Sequence, residues 1–235
     1  MEDLKKFSIE NPIHMKNYLW HYLAIYGNMK GFKLLEKIDF PFGLPDEEGN
    51  NPFHISIKLG HYKLLDYLIK KYPKYINNRN NEDKSIMHYL AENEKIFNKY
   101  IKKFKSKKID FKYLMISRDI DDISPAMLIF RNTNYKTIKN LIKIKPMIVN
   151  YPKIYPSLFF ILKNDKINEK NIIDLMKLLK KNNVNLNMRD YRGENIILYA
   201  IDKKYKNLLD FLMKNGVDSS YMTPIDTNQS FRLAY

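Results

Sequence analysis

Apolar residues between Asp46 and Tyr72 recur at helical spacing: Phe53 and Ile57, then Leu64, Leu65 and Leu68, with polar residues between them. Asn51 can accept the first free amides of a helix, and Pro52 sits at the first helical position, where its missing N–H costs nothing. Gly60 breaks the run, so a second helix folds back from Tyr62 and ends before Pro73. Upstream, Asp46 and Gly49 suit a tight turn, because Asp bonds its own backbone and Gly takes positive φ. The pattern predicts a hairpin loop followed by two antiparallel helices. A unit of this kind leaves one apolar face open to water and needs copies of itself on either side.

The copies are present. His21 lies 33 residues before His54, and His88 lies 34 after it, within WHYLAIYG, FHISIKLG and MHYLAENE. Three later segments keep the pattern without the His: SPAMLIF, YPSLFFI and NIILYAI, whose matching positions are Met127, Leu158 and Leu198. Eight residues upstream of these reference positions, from the second unit onward, stand Asp46, Asn80, Asp119, Asn150 and Asp190, the residue types that open an Asx turn. Three residues upstream stand Asn51, Ser85, Ser124, Tyr155 and Asn195, all but Tyr155 good N-caps.

This pattern resembles the ankyrin repeat, whose period is about 33 residues with a T-P-L-H-x-A core. The resemblance runs from Tyr18 to Asp218, and is fullest in DEEGNNPFHISIKLGHYKLLDYLI and RDYRGENIILYAIDKKYKNLLDFLMKNGVD. Only Pro52, Pro125 and Pro156 match the Pro, and the turn Gly survives only as Gly49 and Gly193. The expected fold is all-α, an ankyrin-type α-solenoid of about six helix-turn-helix repeats with short hairpin loops. The expected organisation is one domain over 1–235. Repeats fall near 17–45, 46–79, 80–118, 119–149, 150–189 and 190–222, with an N-terminal cap at 1–16 and a partial repeat or C-terminal cap at 223–235. Phe7, Ile9 and Ile13 would cover the first end, and QSFRLAY around Phe231 mimics the start of a seventh unit.

Two intervals exceed one period. Extra residues near Lys108 to Arg118 suggest an added helical turn, and Asn164 to Asn171 reads as a polar loop before a helix from Ile172 to Lys181. That helix should end at Asn182-Asn183, since Asn takes the left-handed cap conformation. Over Glu94 to Phe104, Ile96, Phe97, Tyr100, Ile101 and Phe104 form one stripe, while Lys95, Lys99, Lys102, Lys103 and Lys105 fill the other face. A helix lying on a membrane surface would look like this, but so does the outer face of a stacked helix, which is the reading adopted. Trp20, the one Trp, is assigned to the core.

Composition adds little chemistry. No apolar run approaches the ~20 residues that span a bilayer, and Met1 to His14 lacks a signal-peptide core. Cys is absent, so no disulfide framework or thiolate metal site is expected. The expected location is intracellular, cytoplasmic or nuclear. The net charge of +15 has two readings: an anionic partner, or a Lys- and Asn-rich composition drawn from an A/T-rich genome. Only six Arg occur, where phosphate-gripping proteins favour Arg forks. His21, His54 and His88 stand one repeat apart, too far to share a metal ion, and the resemblance gives them the job of tying neighbouring loops. No phosphate loop, nucleophile elbow or H-E-x-x-H occurs, and DIDD at Asp119 to Asp122 lacks EF-hand spacing. Neither catalysis nor a cofactor is expected.

The resemblance implies a scaffold that binds a protein partner, acidic by the charge argument, through hairpin tips and the exposed side of each first helix. The contact positions it implies are Tyr26, Lys58, Asn81, Glu82, Lys84, Arg131, Tyr191, Arg192, Glu194 and Lys203. The other function considered is electrostatic binding of nucleic acid or an anionic surface by the Lys-rich face, with Tyr and Phe able to stack on single strands. Degenerate ankyrin chains of this composition are similar to those of large DNA viruses and intracellular parasites, which implies host or assembly partners and a host-cell location.

Overall fold

The computed structural model describes residues 12–38, 42, 44–105, 111–151 and 156–218. They contain thirteen α-helices, two 3-10 turns and no strand; the one β feature is an isolated antiparallel bridge between Arg189 and Asn195. None of these helices is long and apolar enough to cross a membrane. The chain divides into two compact units, Met1–Leu90 and Ala91–Tyr235.

In the first unit, α1 (Pro12–Ile25) packs on α3 (Pro52–Lys58), and α2 (Met29–Lys37) and α4 (Tyr62–Lys71) follow them as return helices. A 3-10 turn, Pro73–Tyr75, stops α4 where the proline was expected to. Helix α1 begins at Pro12, inside the stretch read as a separate cap, since a proline at the first helical position is pre-set for helix. The other expected end segments, Phe7 and Ile9 at the start and QSFRLAY at the end, lie outside the described residues. Trp20 is fully buried, 4.9 Å from the Phe32 ring and 5.2 Å from Phe42, which stacks on Tyr72 at 4.0 Å. Phe53, Leu64, Leu65 and Leu68, the residues of the periodic pattern, complete this core.

Helix α5 (Ile86–Glu92) contains the division between the units. The second unit holds α6 (Glu94–Lys105), α7 (Phe111–Ile116), α8 (Pro125–Asn132), α9 (Tyr135–Ile144), α10 (Leu158–Leu162), α11 (Glu169–Lys181), α12 (Ile196–Asp202) and α13 (Lys206–Lys214). Helices α8, α10 and α12 form one row; α6, α9, α11 and α13 form the other. The extra helical turn expected near 108–118 is α7. On α6, Phe97, Tyr100, Ile101 and Phe104 are buried while Lys95, Lys99 and Lys102 are exposed, as an outer helix requires.

Asx turns account for most hairpins. Asp46 Oδ1 accepts the amides of Glu48 and Asn50, Asn80 those of Glu82 and Lys84, Asp119 those of Asp121 and Ile123, and Asp190 those of Arg192 and Glu194. Each turn then needs a left-handed residue three places on. Gly49 and Gly193 supply it at φ 76° and 75°, whereas Asp83 and Asp122 supply it at 57° and 62°. Short polar side chains tolerate this conformation. Each of these two aspartates is also held by an arginine four residues back, Arg79 at 3.7 Å and Arg118 at 3.0 Å.

Two expectations need correction. Asn150 does not open an Asx turn; it ends the 3-10 turn Pro146–Asn150, where Pro146 has already set a helical φ. Its partner position, Tyr155, lies outside the described residues. The loop read as Asn164 to Asn171 is also shorter, because α11 starts at Glu169. The Asn168 side chain accepts the Asn171 amide at 2.9 Å, and Glu169 sits in the first turn, where a negative charge suits the helix dipole. Asn164, fully buried, donates at 2.8 Å to the carbonyls of both Phe130 and Thr133, closing the C-terminal end of α8.

Outer helices are also capped by their neighbours. Glu94 Oε1 accepts the Thr137 hydroxyl at 2.6 Å, at the start of α9. Helix α13 has no side-chain cap of its own at Tyr205; Glu169 Oε1 accepts the Leu208 amide at 2.8 Å, and Oε2 accepts from Asn207. Burial pushes the Glu169 carboxyl up, but these bonds outweigh it and hold it below the usual carboxylate range.

Candidate functional site

The three matched imidazoles are pinned individually. His54 is buried at the third position of α3. Its Nδ1 accepts the Asn51 amide at 3.1 Å, so Nε2 carries the proton and donates to the Lys84 carbonyl at 3.1 Å. The same bond in the preceding repeat runs from His21 Nε2 to the Asn50 carbonyl at 2.9 Å. His88 Nδ1 accepts the Ser85 amide at 3.0 Å. His61, expected to be structural, reaches the Ile25 carbonyl at 2.8 Å. Burial is the main cause that drives the His54 pKa down, to about 4; Lys58 adds to it, against the opposing pull of the Lys84 carbonyl and Asp46. Among the described residues no group of three or more His, Asp or Glu is placed to hold a metal ion.

In the first unit the hairpins are stitched together. The Asn81 amide donates to the Glu48 carbonyl at 2.9 Å, and its side-chain amide donates to the Glu47 carbonyl at 2.8 Å. Asn80 donates to Asn50 Oδ1 at 3.1 Å and to the Tyr89 hydroxyl at 3.0 Å. Gly49 faces this seam so closely that a Cβ there would lie 2.4 Å from Asn81 Oδ1. Of the expected contact positions, Asn81 therefore spends its side chain on the neighbouring hairpin. Glu82 and Lys84 pair with each other at 2.8 Å, and the lysine is the main cause that holds the Glu82 carboxyl below its usual range. Lys58, at the end of α3, is 3.6 Å from Glu48 and lies 5.4 Å over the Tyr89 ring. Tyr26 is 66% exposed just past α1, its ring 4.7 Å from that of Tyr22.

In the second unit four expected positions gather at two places. Arg192 is 2.5 Å from Glu194, 3.5 Å from the buried Asp190 carboxylate, 3.3 Å from the Tyr199 hydroxyl and 5.8 Å from the Tyr191 ring centre. Burial works against this guanidinium's charge, but Tyr199, Glu194 and Asp190 more than restore it, and its pKa is raised. The Tyr199 hydroxyl donates in turn to Asp190 at 2.9 Å, so the hairpin tip is one bonded knot. Lys203, at the end of α12, pairs with Asp165 at 3.0 Å, and that bond is the main cause raising its pKa. Arg131 is exposed at the end of α8, away from both places in sequence, and no described residue pairs with it.

The first unit also carries a cleft of about 400 Å³ that the expected positions touch only through Lys58. Tyr18 and Ile25 of α1, Ile55 of α3 and Leu59 just past its end form its apolar walls; Asp46, Glu47 and Glu48 form its rim. Ile25 and Leu59 are 48% and 51% exposed. Helical periodicity alone files such residues with the core; the DEE run beside them was the available signal.

Comparison with known proteins agrees with this geometry. A model of the ankyrin repeat matches residues 48–78. A chain of Acanthamoeba polyphaga mimivirus, named as ankyrin repeat protein L371, is 23% identical over 238 residues, covering 86% of this chain. This chain spans about 30% of the length of that relative. An ankyrin repeat domain from Acinetobacter baumannii superposes with a TM-score of 0.67 at 16% identity, over 86% of this chain and 99% of that one. The ankyrin repeat domain of Bcl-3, of the IkappaB family, gives 0.62 at 14% identity, over 87% and 89%.

Proposed function

We propose that this chain, which has the ankyrin-repeat fold, a fold that generally serves as a protein-interaction scaffold, acts without catalysis by binding a protein partner. The contacts are made by hairpin tips and by the exposed side of each first helix. In the first unit these are Tyr26, Lys58, Glu82 and Lys84, with Asn81 holding the tip; in the second they are Arg131, Tyr191, Arg192, Glu194 and Lys203. The observation that carries this reading is the bonding of the tips themselves. Asx turns and the Asn81 and Arg192 contacts fix the tip backbones before any partner arrives. Side chains already held in place lose little freedom on binding, which favours affinity. Tyr191 and Arg192 are of the types that most often dominate such interfaces.

A second reading rests on the exposed Lys95, Lys99 and Lys102 along α6: electrostatic binding of nucleic acid or an anionic surface. One experiment separates them. The chain is used to capture partners from lysate, with and without nuclease treatment, at about 50 and about 200 mM salt, a range over which binding through about 6–10 phosphate contacts falls about 10³–10⁵-fold. A protein partner retained at the higher salt, and lost with Tyr191→Ala plus Arg192→Ala, is expected. Binding that needs nucleic acid and disappears with salt would replace the scaffold by the second reading.

A further inference from the structure

We infer that the cleft between α1 and α3 accepts a cationic segment of a partner protein, a Lys or Arg flanked by apolar side chains. The proposal rests on the scaffold reading and gives that partner a chemistry. Three carboxylates, Asp46, Glu47 and Glu48, edge the cleft against one ammonium, Lys58, which Glu48 already engages at 3.6 Å. The local sign is thus opposite to that of a chain carrying +15. Drift toward lysine cannot produce an acidic rim, and an acidic partner, the expectation from net charge, would be repelled here. Asp46 is committed to its own turn through the Glu48 and Asn50 amides. Glu47 is exposed, and no described residue bonds its carboxylate, so it is the acid offered outward.

The walls supply the second half of the recognition. Tyr18, Ile25 and Leu59 leave apolar surface in contact with water beside that charge. One and two helical turns on from Tyr18, the mutually tilted rings of Tyr22 and Tyr26 offer faces to a cation. The volume, about 400 Å³, is at the scale of a ligand cleft and suits a few side chains of an extended segment.

The test selects a random 12-residue peptide library on the full chain, then measures synthetic winners by fluorescence anisotropy. The expected winners place Lys or Arg next to Leu, Ile, Phe or Trp. They should lose at least about tenfold affinity for Glu47→Lys and for Leu59→Ser and keep it for Lys181→Ala, an exposed position at the end of α11 outside every proposed contact. Both cleft substitutions are at exposed positions, and circular dichroism verifies the fold. Acidic winners, basic winners indifferent to both cleft variants, or no winners would overturn the proposal. Winners lost only with Arg192→Ala would overturn it while leaving the scaffold standing, whereas the scaffold itself falls only in the lysate experiment described above.

Discussion

His54 serves two neighbours with one proton, accepting from Asn51 and donating to Lys84, and a second proton would break the first of these bonds. Its folded pKa of about 4 lies below the usual 6.5. Between those values the unfolded chain binds a proton that the native chain refuses, so stability falls as pH drops from 6.5 towards 4. The full window corresponds to about 3 kcal/mol. Urea unfolding at pH 7, 5.5 and 4.5 should show this loss, and a His54→Gln variant, starting lower, should lose that much less across the same range. Parallel curves for the two proteins would refute it. Backbone conformation makes a second prediction at this scale. Lys204 occupies the left-handed place that Gly60 fills four repeats earlier, at φ 56° against 73°. Substituting Lys204→Gly should raise stability by about 1 kcal/mol, and Gly60→Ala, where a Cβ meets nothing closer than 3.9 Å, should lower it by a similar amount. The Asx turns were legible because Asp46, Asn80, Asp119 and Asp190 need only their own amides. Asn150 was misread because the same residue type also ends a 3-10 turn, and the difference lies in Pro146, not in Asn150.

Among the elements, α13 depends on another helix for its beginning. With Tyr205 giving no cap, Glu169→Ala removes the acceptor of the Leu208 amide. The expected cost is about 1 kcal/mol, with faster hydrogen exchange confined to the first turn of α13. An unchanged Leu208 exchange rate would show that the helix caps itself. Helix positions were readable where an apolar stripe and a local cap agree, as for α3, α6 and α12. The start of α11 was misplaced by three residues because Asn168 and Asn171 are both plausible caps, and only the geometry of the Asn168 bond decides between them. The capping of one outer helix by the next leaves no mark in sequence, since Glu94 and Glu169 look like ordinary first-turn acids. The cleft was hidden for a related reason: Ile25 and Leu59 fit a core stripe by spacing and escape it only at helix ends.

For the molecule as a whole, 41 basic side chains against 26 acidic ones impose a general self-repulsion. Raising NaCl from about 10 to about 150 mM shortens the screening length from ~30 to ~8 Å, and Tm should rise. Loss of exposed pairs such as Lys203–Asp165 would subtract little, because such pairs contribute little at the surface. A Tm that stays level or falls would mean that local pairing outweighs the general charge. The uneven distribution of that charge, acidic at the α1–α3 cleft and basic along α6, is what net charge alone could not convey.

The seam at Gly49 has a consequence for how such a chain can change over generations. Two adjoining tips meet there through amide and carbonyl groups, with no room for even a methyl group between them. Their separation is therefore gauged by the length of a hydrogen bond, whatever side chains the tips display. Residues such as Glu47 and Glu82 are free to be rewritten for a new target without altering the pitch, while a single substitution at the glycine would throw the gauge off.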